Sequence, residues 1–223
     1  MKEFNTRLIR WHETSGRKDL PWQKRKTPYR VWISEIMLQQ TRVNQGLSYY
    51  LLFTKEFPTV FDLANAAESV VLKHWQGLGY YSRARNLHHS AKYIANELQG
   101  VFPTTYDEIK KLKGVGDYTA SAISSICFEL PEAVVDGNVY RVLARYFGID
   151  TPINSSKGIK EFKELAQTLI DVKKPGTHNQ AIMDFGALHC KPQNPLCTTC
   201  PLNDSCVALE KKWIKELPVK EKK

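Results

Sequence analysis

Leu112-Lys113-Gly114-Val115-Gly116-Asp117-Tyr118-Thr119-Ala120 is the stretch on which the fold turns. Two glycines one residue apart let the backbone turn sharply and come close to a ligand. Before them, Thr105-Tyr106-Asp107-Glu108 has the capping-box pattern that opens a helix. The helix expected after them presents its first N–H groups and the positive end of its dipole, which together make an anion site. A tight turn between helices needs the same two glycines. A phosphate grip is favoured by the rest of the chain, which carries 32 Lys and Arg against 23 Asp and Glu, a net charge of +9.

Outward from this hairpin the period stays helical. From Pro28 to Leu52 the apolar residues Val31, Trp32, Ile36, Val43, Leu47, Tyr50 and Leu51 recur at spacings near three and four. Thr27 before Pro28 reads as an N-cap followed by proline in the first turn. Ile159, Phe162, Leu165, Ala166 and Leu169 share one helical face, and the stretch 83–98 closes with Gly100 and Pro103. No segment alternates strictly between hairpin turns. The pattern predicts an all-α fold of about ten short helices. With 223 residues, 42% hydrophobic and 25% charged, the composition is globular and excludes a disordered or fibrous chain. No apolar run reaches the ~20 residues of a membrane span, and the N-terminus lacks a signal-peptide stretch. The reducing cytosol or nucleoid is the expected location.

Cysteines in that compartment are not expected to pair as disulfides. Cys127 stands alone in an apolar segment and reads as a small core residue. Cys190, Cys197, Cys200 and Cys206 form C-x6-C-x2-C-x5-C. Four soft thiolates suit either Zn²⁺ or a [4Fe–4S] cluster, and one close pair with two longer arms leans toward the cluster. Pro192, Pro195 and Pro201 keep that loop from becoming a helix. A cluster with no open position would be structural, fixing a loop with Lys191 toward a phosphate backbone; redox sensing is the alternative.

Two acidic residues suggest chemistry. Asp136 in Val135-Asp136-Gly137-Asn138 precedes a helical stretch ending near Gly148, where an N-cap aspartate is a sufficient reason for it. Glu35 shares a helix face with Val31, Trp32, Leu38 and Gln39. It reads either as the polar edge of that helix or as a partly buried carboxyl kept protonated near neutral pH. Together they suit cleavage of an N-glycosidic bond: a neutral acid protonates the leaving group while an ionised carboxylate stabilises an oxocarbenium-like sugar.

A helix-hairpin-helix, then Val-Asp-Gly-Asn about twenty residues on, then the four-cysteine loop, resembles the endonuclease III superfamily of DNA repair enzymes over nearly the whole chain. Leu20-Pro21-Trp22, the run from Trp32 to Thr41 (WISEIMLQQT) and the run from Gly77 to Arg85 (GLGYYSRAR) resemble the MutY-type adenine DNA glycosylases in particular. That resemblance implies excision of adenine from double-stranded DNA where it faces 8-oxoguanine or guanine, by a monomer that binds no membrane. Glu35 would protonate adenine at N7 and Asp136 would stabilise the sugar cation, with Asn138 and Tyr118 completing the catalytic site. Gln40 would enter the base stack and Tyr80 would wedge beside the lesion. Trp22, Gln180 and Met183 would surround the adenine. Thr41, Arg83, Gly114 and Gly116 would lie at the DNA, and Cys190, Cys197, Cys200 and Cys206 would hold a [4Fe–4S] cluster. Relatives that also cut the strand carry a lysine amine at the place of Tyr118, so a monofunctional glycosylase is expected.

The resemblance also implies two lobes. One is a helical bundle over 27–133 containing the hairpin. The other is discontinuous, joining 1–26 to 134–209 with the cluster loop at 190–206, while 210–223 reads as a basic tail or the start of a linker. DNA is expected in the groove between the lobes, with Glu35 and Asp136 on facing walls. Full MutY-type enzymes continue into a domain that recognises 8-oxoguanine; this sequence stops at Lys223, which reads either as a naturally short protein or as a catalytic core. The alternatives are a G/T-mismatch thymine glycosylase, which shares the hairpin tyrosine, and a non-catalytic DNA-binding or redox-sensing iron–sulfur module.

Overall fold

The computed structural model describes residues 2–221, and those residues contain helices, turns and loops but no strand. The fold is all-α. The chain divides into two compact units, one spanning Lys18–Phe128 and the other formed by the flanking segments, up to Arg17 and from Glu129 onward.

The central unit contains eight helices: α2 (Pro21–Lys24), α3 (Pro28–Leu38), α4 (Val43–Glu56), α5 (Val60–Asn65), α6 (Glu68–Trp75), α7 (Ser82–Asn96), α8 (Tyr106–Lys110) and α9 (Asp117–Phe128). Their starts are written in side chains. The Thr27, Thr59 and Thr105 hydroxyls accept from Arg30, Asp62 and Glu108 N–H, each satisfying an orphan donor of a first turn. The core is built on Trp32, Trp75, Tyr50 and Phe53, all at most 1% exposed, with Ile33, Met37 and Leu63 between them. Burying each such side chain contributes roughly 1.5–3 kcal/mol.

The flanking unit contains α1 (Lys2–Ser15), α10 (Gly137–Phe147), α11 (Ser156–Leu169), α12 (Pro175–Asp184) and α13 (Val207–Glu210). Its core holds Phe4, Leu8, Phe162 and Phe185 with Val139 and Leu143 of α10. The last turn of α12 runs on as a π-helical segment, Phe185–His189, into the cysteine loop. That loop contains only two 3₁₀ turns, Cys197–Thr199 and Asn203–Ser205.

Four expectations are corrected. The helical period from Pro28 to Leu52 is two helices, because the chain breaks over 39–42 with Gln40 at φ +57°, a left-handed conformation no helix interior accepts. The described residues hold thirteen α-helical segments rather than ten, since α2 and α13 are single turns too short to show a period. Cys127 is half-buried, not a core residue. Residues 210–221 are packed rather than a free tail, while 222–223 of the stretch read as a basic tail or linker lie outside the described residues. Leu217 is 4% exposed, its carbonyl accepts from Arg145 Nε at 3.1 Å, and Ile153 N–H donates to the Val219 carbonyl at 3.0 Å.

Candidate active site and nucleic-acid interface

In the central unit, α3 packs along α9. Trp32, Ile33, Ser34, Ile36 and Met37 are buried and leave Glu35 half-buried at the margin of that face. Cys127 lies near the far end of α9, and its thiol is pushed up to about 12, first by burial and then by the Glu35 carboxylate. The packing of α3 on α9 thus brings Glu35 within electrostatic reach of Cys127. Tyr118, half-buried, occupies the first turn of the same helix.

The hairpin precedes α9. Gly114 adopts φ +86°, and a Cβ there would come within 2.9 Å of Asn86 Cβ, so the turn requires glycine on two counts. Gly116 differs. A Cβ would meet nothing within 4 Å, which leaves open space in front of the α9 N-terminus. The Lys113 carbonyl accepts from Ser90 Oγ at 3.2 Å, tying the turn to α7. Asp117 would oppose an anion, but its carboxylate is engaged by Lys110 Nζ at 2.5 Å and Tyr106 Oη at 3.0 Å.

Gln40 and Tyr80 are both exposed and both carry positive φ, +57° and +48°. One side chain holds the segments that present them. The Arg83 guanidinium, 8% exposed, donates to the carbonyls of Met37 at 2.8 Å, Gln39 at 2.5 Å, Leu78 at 3.3 Å and Gly79 at 3.2 Å. It also donates to Thr41 Oγ1 at 3.3 Å and lies 5.5 Å from the centre of the Tyr80 ring. Arg83, expected to face DNA, is therefore turned inward: its donors satisfy the carbonyls released where α3 ends. Gln39 Nε2 donates to Thr119 Oγ1 at 3.2 Å, linking this assembly to the hairpin. Trp22 is buried edge-on against Tyr50, with ring centres 4.9 Å apart, so its bulk supports the core.

In the flanking unit Asp136 caps α10. Oδ1 accepts from Asn138 N–H at 2.9 Å and Val139 N–H at 2.8 Å, and Oδ2 from Asn138 Nδ2 at 2.8 Å. Three donors fix the carboxylate. Asn138 is held in turn, its Oδ1 accepting from Arg141 Nη2 at 2.8 Å, while Arg141 Nε donates to the Cys190 carbonyl at 2.8 Å. Arg145 continues one turn on, donating to the Lys191 carbonyl at 2.8 Å and the Pro192 carbonyl at 3.1 Å. The two arginines thus hold the start of the cysteine loop against α10. Sequence reasoning passed over both; their four-residue spacing on a capped amphipathic helix was the available signal. Gln180 and Met183 are half-buried, three residues apart on α12.

Cys190, Cys197, Cys200 and Cys206 line one small cavity of about 30 Å³ with Leu196, Leu209 and Ile214. Burial pushes the Cys200 thiol up to about 12 and raises Cys197 and Cys206, and the sulfurs influence one another's charge. Among the described residues no three His, Cys, Asp or Glu side chains are grouped to hold a single metal ion. Four convergent thiols around an apolar-walled space fit a cluster with sulfurs at its periphery, and the donor set is that of an iron–sulfur centre.

All these features define one class of protein. Residues 33–168 match the HhH-GPD superfamily base excision DNA repair protein family, and residues 190–206 match the iron–sulfur binding domain of endonuclease III. The chain belongs to the HhH-GPD superfamily and carries its iron–sulfur loop. Among curated relatives it is similar to the adenine DNA glycosylase of Buchnera aphidicola subsp. Schizaphis graminum, 42% identical over 221 residues, covering 99% of this chain and 63% of that protein. The Homo sapiens adenine DNA glycosylase is 42% identical over 217 residues, covering 93% of this chain and 40% of that protein. The chain thus spans less than two thirds of the length of these relatives. Among solved structures, a thermostable thymine-DNA glycosylase superposes with TM-score 0.85 at 32% identity, covering 94% of this chain and 96% of that one. A non-covalent endonuclease III–DNA complex superposes with TM-score 0.80 at 22% identity and supports the fold alone, covering 95% of each chain.

Proposed function

We propose that this chain is a monofunctional glycosylase that flips adenine out of duplex DNA and hydrolyses its N-glycosidic bond where adenine faces 8-oxoguanine or guanine. The observation that carries the reading is Asp136. A carboxylate pinned by three N–H donors cannot swing away to find a counter-ion, and so it remains a fixed negative charge for a cation that exists only fleetingly. Glu35 donates its proton to adenine N7, and the C1′–N9 bond breaks with its electron pair leaving on the base. The sugar cation faces Asp136, and water then adds at C1′ and gives its proton to the Glu35 carboxylate, which restores the acid. Asn138 holds Asp136, and Tyr118 closes the site without the amine a strand-cutting lyase uses.

Gln40 enters the stack that the extruded base vacates and Tyr80 wedges beside the lesion, which offsets part of the unstacking cost of a few kcal/mol. Trp22, Gln180 and Met183 belong to the surroundings of the adenine, Thr41 and Arg83 support the intruding segments, and Gly114 and Gly116 bring backbone N–H groups to a phosphate. The [4Fe–4S] cluster on Cys190, Cys197, Cys200 and Cys206 fixes the loop that Arg141 and Arg145 join to α10. The protein acts as a monomer, and its affinity for duplex falls steeply with salt.

Replacing Glu35 by Gln tests the reading. Adenine release from an A:8-oxoguanine duplex is expected to vanish while duplex affinity holds; parallel loss of both would make Glu35 structural and sink the assignment. Borohydride is expected to trap no substantial covalent adduct. A second reading, a thymine glycosylase for T:G mispairs, is favoured by the 32% identity to a thymine-DNA glycosylase of almost the same extent. Alkaline strand cleavage after incubation with A:8-oxoguanine and T:G duplexes separates the two.

A further inference from the structure

The segment Pro131–Val134 lies between α9 and α10 and belongs to no helix. Val134 is buried and Glu132 half-buried, so their peptide groups need partners, since a buried N–H or C=O without one is costly, while Pro131 is exposed. In an extended chain successive peptide groups face opposite edges, and a neighbouring strand on each edge ordinarily satisfies them. Among the described residues of this unit there is no strand to offer. Two side-chain amides stand in its place. On one edge Gln167 of α11 donates Nε2–H to the Pro131 carbonyl at 2.6 Å and accepts the Ala133 N–H on Oε1 at 3.1 Å. On the other edge Asn179 of α12 donates Nδ2–H to the Glu132 carbonyl at 2.8 Å and accepts the Val134 N–H on Oδ1 at 3.2 Å. Each amide copies the donor–acceptor pair of a peptide, so four consecutive residues are gripped alternately from two helices.

Asp136 follows two residues after Val134. Its carboxylate is oriented from the α10 side by Asn138 and the first-turn N–H groups, but those bonds leave open how far the N-terminus of α10 is held relative to α11 and α12. We infer that Asn179 and Gln167 form an amide clamp that sets this placement, and that both are positioning residues for Asp136. Asn179 is 1% exposed and Gln167 is exposed, so Asn179 is the stronger half of the clamp. The same helix α12 presents Gln180 and Met183, so one element registers the Asp136 segment against them. The inference rests on the role proposed for Asp136.

The test measures single-turnover adenine release on an A:8-oxoguanine duplex beside affinity for a duplex carrying carbocyclic adenosine, which cannot form the sugar cation. Gln167→Leu, at an exposed site that tolerates substitution, is expected to slow release about 10-fold, and Asn179→Leu about 100-fold, because displacement of a reacting group by about 1 Å is enough for such a loss. Duplex affinity is expected to hold in both. Gln167→Glu keeps the acceptor for Ala133 N–H and is expected to recover part of the loss. Because Asn179→Leu can fail to fold, the Gln167 pair decides alone. Wild-type rates in folded Gln167→Leu and Asn179→Leu, with Asp136→Asn inactive, would overturn the clamp only. Rate and affinity falling together would also overturn it, as a merely structural contact. An active Asp136→Asn protein would overturn the role of Asp136 and the clamp with it.

Discussion

Arg83 shows how much one side chain can decide. Its planar guanidinium meets carbonyls from two segments more than thirty-five residues apart in sequence, and no other residue type supplies donors in that fork. Lysine would retain the charge but reach only part of this set, leaving buried carbonyls unsatisfied. Arg83→Lys is expected to destabilise the protein by roughly 1–3 kcal/mol in urea unfolding. Base extrusion, followed by 2-aminopurine fluorescence, is expected to slow because Gln40 and Tyr80 lose their common support. Unchanged extrusion in a protein of unchanged stability would show that the two segments hold themselves. The resemblance of the run from Gly77 to Arg85 to adenine DNA glycosylases placed Arg83 at the DNA. Its inward turn depends on acceptors at residues 37–41, and the pairing of those two segments is tertiary information. Asp136 was more legible, because an N-cap depends on neighbours within three residues.

At the scale of the element, the hairpin separates two jobs that its glycines share by name. Gly114 is held by its own fold, at φ +86° and against Asn86, whereas Gly116 faces open space. Gly114→Ala is expected to cost about 1–3 kcal/mol of stability through backbone strain and the contact with Asn86. Gly116→Ala is expected to melt like the parent yet bind duplex about 10-fold more weakly, since a methyl group there would stand in the path of the phosphate proposed at the α9 N-terminus, and 10-fold is about 1.4 kcal/mol, the scale of one lost charge-assisted hydrogen bond. Calorimetry and a salt-controlled titration read the two effects separately; equal losses of stability would mean that both glycines serve the turn alone. The G-x-G spacing made this hairpin legible, but it could not tell which glycine faces outward. The break between α3 and α4 was hidden for the opposite reason: the apolar period resumes in register at Val43, while the helix is interrupted by non-helical Gln39 and Arg42 with left-handed Gln40 between them.

Over the whole molecule, the helical period and the cysteine loop were readable because both are local patterns, while the packing of residues 210–221 was not. Six lysines in the last fourteen residues suggest solvent, yet the anchors are Leu217 and carbonyls reached by Arg145 and Ile153. Folding also buries basic groups that sequence treats as titrating freely. His178 on α12 is 2% exposed, and burial lowers it from 6.5 to about 4 despite the nearby Asp171 charge. His88 on α7 is lowered in the same direction, first by burial. Between pH 6.5 and 4 the unfolded chain therefore binds protons that the folded protein refuses, so stability is full above that window and is lost as pH falls through it. For His178 alone the displacement amounts to about 3 kcal/mol at most. Asp184, which burial pushes up but which hydrogen bonds from His12 and the charge of Arg17 hold below its usual value, adds its own loss only at lower pH. Urea unfolding at pH 7.5, 5.5 and 4.5 is expected to show the decline in the parent protein and a shallower one in His178→Asn, whose side chain stays neutral throughout, with His88 and His189, both lowered by burial, contributing to the remainder. An identical slope in the two proteins would mean that His178 accepts its proton without leaving the fold.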